Sequence, residues 1–177
     1  MSVRSENNAD ANDTQLEGRW RMYGRVPHPE VPDGIQVPAG EEVVLKVHAT
    51  GFQIYVCEPS ADQRLSWILK RPEAKLSDVN GKPVGSHSAG PIWEYSDGSQ
   101  VAGKITRRAD APDAGSIPWL LLSASGHTGT GILSRVTSIQ RIHTSGGQPP
   151  VRCNEENCGA EMRVPYSADY YFYEPRR

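Results

Sequence analysis

The chain has no uninterrupted apolar run approaching the ~20 residues that a membrane helix needs, and its mean hydropathy is −0.56. A membrane span is not expected. Excess charge of either sign is also missing. Against 19 Lys and Arg stand 21 Asp and Glu, net −2 at pH 7, so no global field draws in nucleic acid or an anionic surface. Helix-period apolar stripes are absent, and turns take their place: the 17 glycines and 14 prolines make up about 18% of the chain, against an average near 12%. The opening lacks the basic start, apolar stretch and small-residue cleavage site of a secretory signal. Read alone, this leaves a cytoplasmic protein or a form from which a leader has been removed. Cysteine is sparse: with three, at most one internal disulfide forms and one thiol is left over.

A chain of 177 residues is long enough for one domain burying roughly two-thirds of its unfolded surface. Residues 1–15 are polar, rich in Asn and Asp, and lack aromatics, so they read as a disordered tail. Within it, Asn12-Asp13-Thr14 matches a glycosylation sequon by chance composition. Residues 16–177 read as a single β domain. Pro27, Pro29, Pro32 and Pro38 make the approach to it extended. Period-two alternation follows over Val43–His48 and again over Phe52–Cys57, predicting two strands joined at Thr50-Gly51. Leu65–Leu69 is a short third strand. Asn80-Gly81 and Asp97-Gly98 are type I′ turn signals, the second closing a hairpin from Ile92–Tyr95 to Ser99–Val101. Pro118–Ala124 is an apolar run expected of a strand buried on both faces. Gly131–Thr144 reads as a long, bent strand. In the last strand Tyr166, Tyr170 and Phe172 take one face, Tyr171 and Tyr173 the other. The class is all-β, a single antiparallel β-barrel or β-sandwich.

The densest polar and aromatic block is Gly85–Ser99. If Ile92–Tyr95 is a strand, Trp93 and Tyr95 share one face, and Glu94 shares the other with Ile92, where partial burial would raise its pKa. His87, folded back by Ala89-Gly90-Pro91, could join Glu94 as an acid–base pair. The plainer reading has Glu94 accepting hydrogen bonds from backbone or Arg141, and Asp97 serving its turn. Nucleophile and metal signatures fail: Ser86-His87-Ser88-Ala89-Gly90 lacks the first Gly of G-x-S-x-G, and Gly85 and Ala89 stand where a His-x-His metal pair needs ligands. No metal and no cofactor are implied. Tyr55, Trp93, Tyr95, Trp119 and Arg141 are the candidates to line a ligand pocket, among aromatics that otherwise build core. The cysteines by themselves leave three options open: a long-range disulfide from Cys57, a local Cys153–Cys158 clip, or a zinc site, for which Cys-x₄-Cys lacks a second ligand pair.

Several segments together resemble the DUF3455 family, a domain of unknown function. They are Gly51–Cys57, Pro72–Leu76, Gly85–Ser99, Ile117–Leu122, Ile139–Gly147 and Val164–Tyr170, in order over about residues 31–173. The resemblance implies an exported protein in an oxidising compartment, secreted or periplasmic. It also implies a Cys57–Cys153 disulfide with Cys158 free. At His143 the family more often has a small polar residue, so no family role attaches to this His. Some members carry a malate-dehydrogenase-like label. Here Gly126, Gly129 and Gly131 are not spaced as G-x-G-x-x-G and precede no helix, so a dinucleotide site is not expected.

Three functional readings follow. The first is binding of a small molecule or glycan beside Gly85–Ser99 without covalent chemistry. The second is a cofactor-independent enzyme using His87 and Glu94. The third is a structural or surface protein without a pocket. Oligomeric state is left open.

Overall fold

The computed structural model describes residues 26–149 and 152–177. The tail expected over 1–15 and the sequon at Asn12 lie outside the described residues. Eight strands follow one another: β1 (Glu41–Pro59), β2 (Leu65–Ser77), β3 (Pro83–Ser88), β4 (Ile92–Tyr95), β5 (Gln100–Ala109), β6 (Trp119–Thr128), β7 (Ser138–Gly146) and β8 (Glu161–Pro175). Each pairs antiparallel with the next. β8 then returns to β1, with Gly51 opposite Tyr166 and His48 opposite Asp169, closing the sheet into a barrel.

Side-chain alternation explains the two layers of packing. On β8, Ala168, Tyr170 and Phe172 point into the barrel with Tyr166, whereas Tyr171 and Tyr173 point outward. On β6, Leu120 and Leu122 face in while Trp119 and Leu121 face out, and all four are buried. The outward set is covered by the proline-rich approach segment. Its prolines permit only a single 3₁₀ turn, Asp33–Ile35, whose Ile35 is fully buried and whose carbonyl accepts from Gln140 Nε2 at 2.7 Å. An eight-stranded barrel is just wide enough to be filled by its own side chains, and Trp93, Tyr170, Phe172 and Leu122 fill this one.

Four sequence expectations are corrected. Thr50-Gly51 is no turn: β1 runs unbroken through it. Gly51 is required because a Cβ there would lie 2.0 Å from the Glu73 carbonyl oxygen and 2.5 Å from Ala74 Cα on β2. The third strand extends well beyond Leu69, to Ser77. Residues 132–135 form a turn, so β7 begins only at Ser138, and its bend is a bulge between Ile142 and Ser145 with His143 at φ 49°. Both turns form where expected but not as type I′: positive φ is confined to Gly81 (79°) and Gly98 (86°), and the turns close one residue earlier, Gly81 N donating to Asp78 O at 3.0 Å and Gly98 N to Tyr95 O at 2.9 Å, so each glycine follows a turn centred on Val79-Asn80 or Ser96-Asp97.

Beyond Gly51, the far halves of β1, β2 and β8 run on together past the ends of β3 and β7. A disulfide joins Cys57 on this extension to Cys153, with Cα atoms 5.6 Å apart and a sequence separation of 96. Cys158 is free and exposed. The pairing implied by the resemblance is the one present.

Candidate functional site

Strands β3 and β4 set His87 opposite Trp93 and Ser86 opposite Glu94. Because side chains alternate across a strand, the first pair turns inward and the second outward. His87 and Trp93, 4% and 1% exposed, stack inside the barrel with ring centroids 4.4 Å apart and planes 9° from parallel. The benzo edge of Trp93 lies over Gly103 on β5, where a Cβ would come within 2.9 Å of the ring. Glu94 is exposed and accepts from Gln100 Nε2 at 3.0 Å. The acid–base pair expected of His87 and Glu94 is therefore not assembled: the sheet separates them. Sharing a face with Ile92 did not bury Glu94, since that face is the outer one.

His87 has a defined protonation state. Its Nδ1 lies 2.9 Å from the Ile92 carbonyl oxygen, so the ring proton sits there and Nε2 is left as an acceptor. Burial lowers its pKa to about 4, with the Arg141 charge adding to the effect and the bond to Ile92 opposing it. The ring is neutral at physiological pH. Among the described residues no Ser or Cys side chain hydrogen-bonds to it.

Behind His87 stands Arg141. Its neighbour Ile139 faces the core, and Arg141, two residues on and opposite Tyr170, faces the same way. Nε and Nη2 both donate to the Pro118 carbonyl, at 3.1 and 2.7 Å. No carboxylate pairs with it among the described residues. Around it lie the phenols of Tyr166 and Tyr170, whose buried hydroxyls interact with each other, and Tyr170 with Arg141, short of well-formed hydrogen-bond geometry. Burial pushes both well above the ordinary tyrosine pKa, with Arg141 opposing the rise.

A cavity of 810 Å³ opens over this end of the barrel, at the level of Gly51, across the neighbouring strands β3, β2, β1, β8 and β7. Phe52, Lys75, Ser86 and Arg163 line its sides, and from the interior His87 and Tyr166 reach it. Arg163 lies over the Phe52 ring, 4.6 Å from its centroid, and pairs with Glu73 at 2.8 Å.

A family model described as "Protein of unknown function (DUF3455)" matches residues 38–174. The chain belongs to the DUF3455 family. No curated protein and no solved structure matches it.

In this DUF3455 chain the residues expected to bind ligand are dispersed. Trp93 and Tyr95 pack in the barrel core, and Trp119 packs outside it against the approach segment, edge-on to His143. Tyr55 is buried, donating its hydroxyl to Gly147 O at 2.7 Å. Arg141 is not a partner of Glu94. Asp97 does more than initiate its turn: its carboxylate accepts from Ser99 N, Ser99 Oγ and Ile132 N, tying the β4–β5 hairpin to the loop before β7. Of the Gly85–Ser99 block, Ser86 and His87 border the cavity.

The sequence reading overlooked Phe52, Lys75 and Arg163, which look like ordinary strand residues until the register is known. It also passed over Asp169. That side chain is 15% exposed and accepts from His48 Nδ1 at 2.8 Å and His143 Nδ1 at 3.0 Å, with Lys46 Nζ at 3.5 Å. Burial opposes its ionisation, but the bonds from the two histidines and the Lys46 charge outweigh it and hold the carboxyl below its ordinary range. The three strands β1, β8 and β7 carry His48, Asp169 and His143 side by side, a juxtaposition that only closure of the barrel creates.

Proposed function

We propose that the protein binds a small molecule in the cavity bordered by Phe52, Ser86, His87 and Tyr166, without covalent chemistry. One observation carries this reading: 810 Å³ lies within the range of small-molecule pockets, about 300–1,000 Å³, and it opens on side chains that are otherwise interior. A small molecule is favoured over a glycan because the aromatic faces that a sugar would stack on are taken. Arg163 covers Phe52, and Tyr166 is 4% exposed. The enzyme reading loses its acid–base pair to the sheet that separates His87 from Glu94. The Cys57–Cys153 bond supports placement in an oxidising compartment, secreted or periplasmic.

The test is a fragment screen by ligand-observed NMR, repeated on Ser86→Trp, which fills the cavity from an exposed position. Hits that Ser86→Trp abolishes while leaving the melting temperature unchanged are expected. A screen without hits, or hits indifferent to Ser86→Trp, overturns the proposal.

A further inference from the structure

We infer that β5 carries a docking edge for a partner protein: an extended acidic segment of that partner adds to the sheet as a further strand, in line with β4.

The first observation is an incomplete ladder. β6 pairs with β5 from Gln100 to Ala109, its whole length. β4 pairs with it only over Gln100–Ala102. One further bond, from Gly103 N to Pro91 O at 3.0 Å, ends the contact, because at Pro91 the chain is arriving from the turn after β3. From Lys104 to Ala109 the side of β5 turned away from β6 has no backbone partner among the described residues. Its unpaired N–H and C=O groups are a template on which an extended peptide can add. Lys104–Arg108 are exposed throughout, so the edge is accessible.

The second observation is charge. Lys104, Arg107 and Arg108 have no carboxylate partner among the described residues, whereas Lys46, Lys70, Arg71 and Arg163 each have one. Of the acids close by, Asp33 belongs to the 3₁₀ turn that packs on β5 and accepts from Gln36 Nε2 at 3.1 Å, and Asp110 follows the strand. The edge keeps a positive excess in a chain whose net charge is −2.

Register places these cations on both faces. Residues directly opposite across a ladder share a face. Lys104 and Arg107 stand opposite Ser123 and Leu121, on the outer side, while Ile105 and Arg108 stand opposite Leu122 and Leu120, on the inner side. An added strand therefore meets positive charge whichever way its side chains alternate. Ile105 is 37% exposed because no strand flanks it there, and it offers an apolar contact between the charges. A second copy does not suit this edge: pairing two β5 edges brings the cations of one against those of the other, and like charges opposite each other are destabilising. A nucleic acid would use the cations but leave the backbone groups unpaired. An acidic peptide strand satisfies both.

The experiment uses the full chain and a labelled, end-blocked peptide of about eight residues alternating Glu and Val, enough to span Lys104–Ala109. Fluorescence anisotropy measures its affinity, and hydrogen exchange read by mass spectrometry locates it. The peptide should bind and slow amide exchange across Lys104–Ala109. Binding should weaken by about tenfold or more in Arg107→Glu with Arg108→Glu, because each change replaces an attraction by a repulsion, and stay within about twofold in Lys82→Glu with Arg177→Glu, which alters net charge equally elsewhere. All four positions are exposed, and thermal melts verify the fold. If the reversed variant melts early, Arg107→Gln with Arg108→Gln replaces it. No binding, equal binding by a Lys–Val peptide, or equal binding by the Glu–Val peptide N-methylated throughout overturns the proposal, the last because a joining strand must donate to the edge. Self-association of the chain, seen by sedimentation and lost in the reversed variant, overturns it by giving the edge to a second copy. Binding of an oligothymidylate but not of the peptide overturns it by making the stretch a polyanion site.

Discussion

His87 lies flat against Trp93, and both rings pack on Tyr170, at centroid distances of 5.1 and 5.3 Å. The stack holds a titratable ring in the middle of an aromatic core, and protonating that ring means placing a charge there.

Acid should therefore weaken the fold through His87. Its pKa is lowered to about 4 in the native state, whereas an unfolded His titrates near 6.5. Between those values the unfolded chain binds more protons, so stability rises with pH across the window and falls on acidification from about pH 6.5 toward 4. Up to about 3 kcal/mol is lost by this route. Urea denaturation of the wild type and His87→Phe at pH 7, 5.5 and 4.5 checks it: the difference between them should shift in favour of the variant as pH drops.

Breaking the Cys57–Cys153 bond, by reduction or by Cys→Ser at both ends, should cost about 2–5 kcal/mol, the range for native disulfides in small domains. Cys158→Ser, at an exposed unpaired position, should be neutral within about 0.5 kcal/mol. Thermal melts with and without reductant separate the two, and non-reducing peptide mapping identifies the bond.

Gly51→Ala should destabilise the barrel by about 1–3 kcal/mol, because the new methyl would lie 2.0 Å from the Glu73 carbonyl oxygen and both strands must move. Gly126→Ala, also in a strand but with nothing within 4 Å of its Cβ, is the control and should change stability by less than about 0.5 kcal/mol. Equal effects in chemical denaturation would contradict the close-approach argument.

Asp169→Asn should lower stability at pH 7 by about 1–3 kcal/mol, since the variant trades two charge-assisted bonds from His48 and His143 for weaker neutral ones. The native carboxyl titrates below its unfolded value near 3.9, so its contribution is complete above that value and disappears as pH falls through the native one. The gap between wild type and Asp169→Asn should close below about pH 4 when unfolding is followed by circular dichroism.

Much of this fold could be read from local pattern. The alternation of Tyr166, Tyr170 and Phe172 against Tyr171 and Tyr173 appears unchanged in the two packed layers, and the unbroken run of β6 reflects burial on both faces. The hairpin at Asp97-Gly98 is present, with Gly98 alone taking positive φ. What failed was whatever depends on a neighbouring strand. A glycine at a turn and a glycine where two backbones nearly touch look alike in sequence, so Gly51 read as a turn. Glu94 could be assigned to the face opposite Trp93, but not to the outside, because which face is inner is decided by closure. Arg141 was among the candidates, yet its setting beside the phenols of Tyr166 and Tyr170 exists only once β7 and β8 are in register.

Seven of the eight strand pairings join consecutive segments of the chain, and the eighth, β1 with β8, is the seam that completes the circle. Loop closure over that distance is the entropic bottleneck of such a topology and tends to make its folding slow. The one covalent cross-link lies across the same seam, from β1 to the residues leading into β8. An oxidised chain that has unfolded keeps the two edges of its open sheet on a short tether, so that sealing becomes a neighbourly event. A reduced chain must find its last strand from the far end of the polypeptide, and until it does, both edges remain open to other molecules.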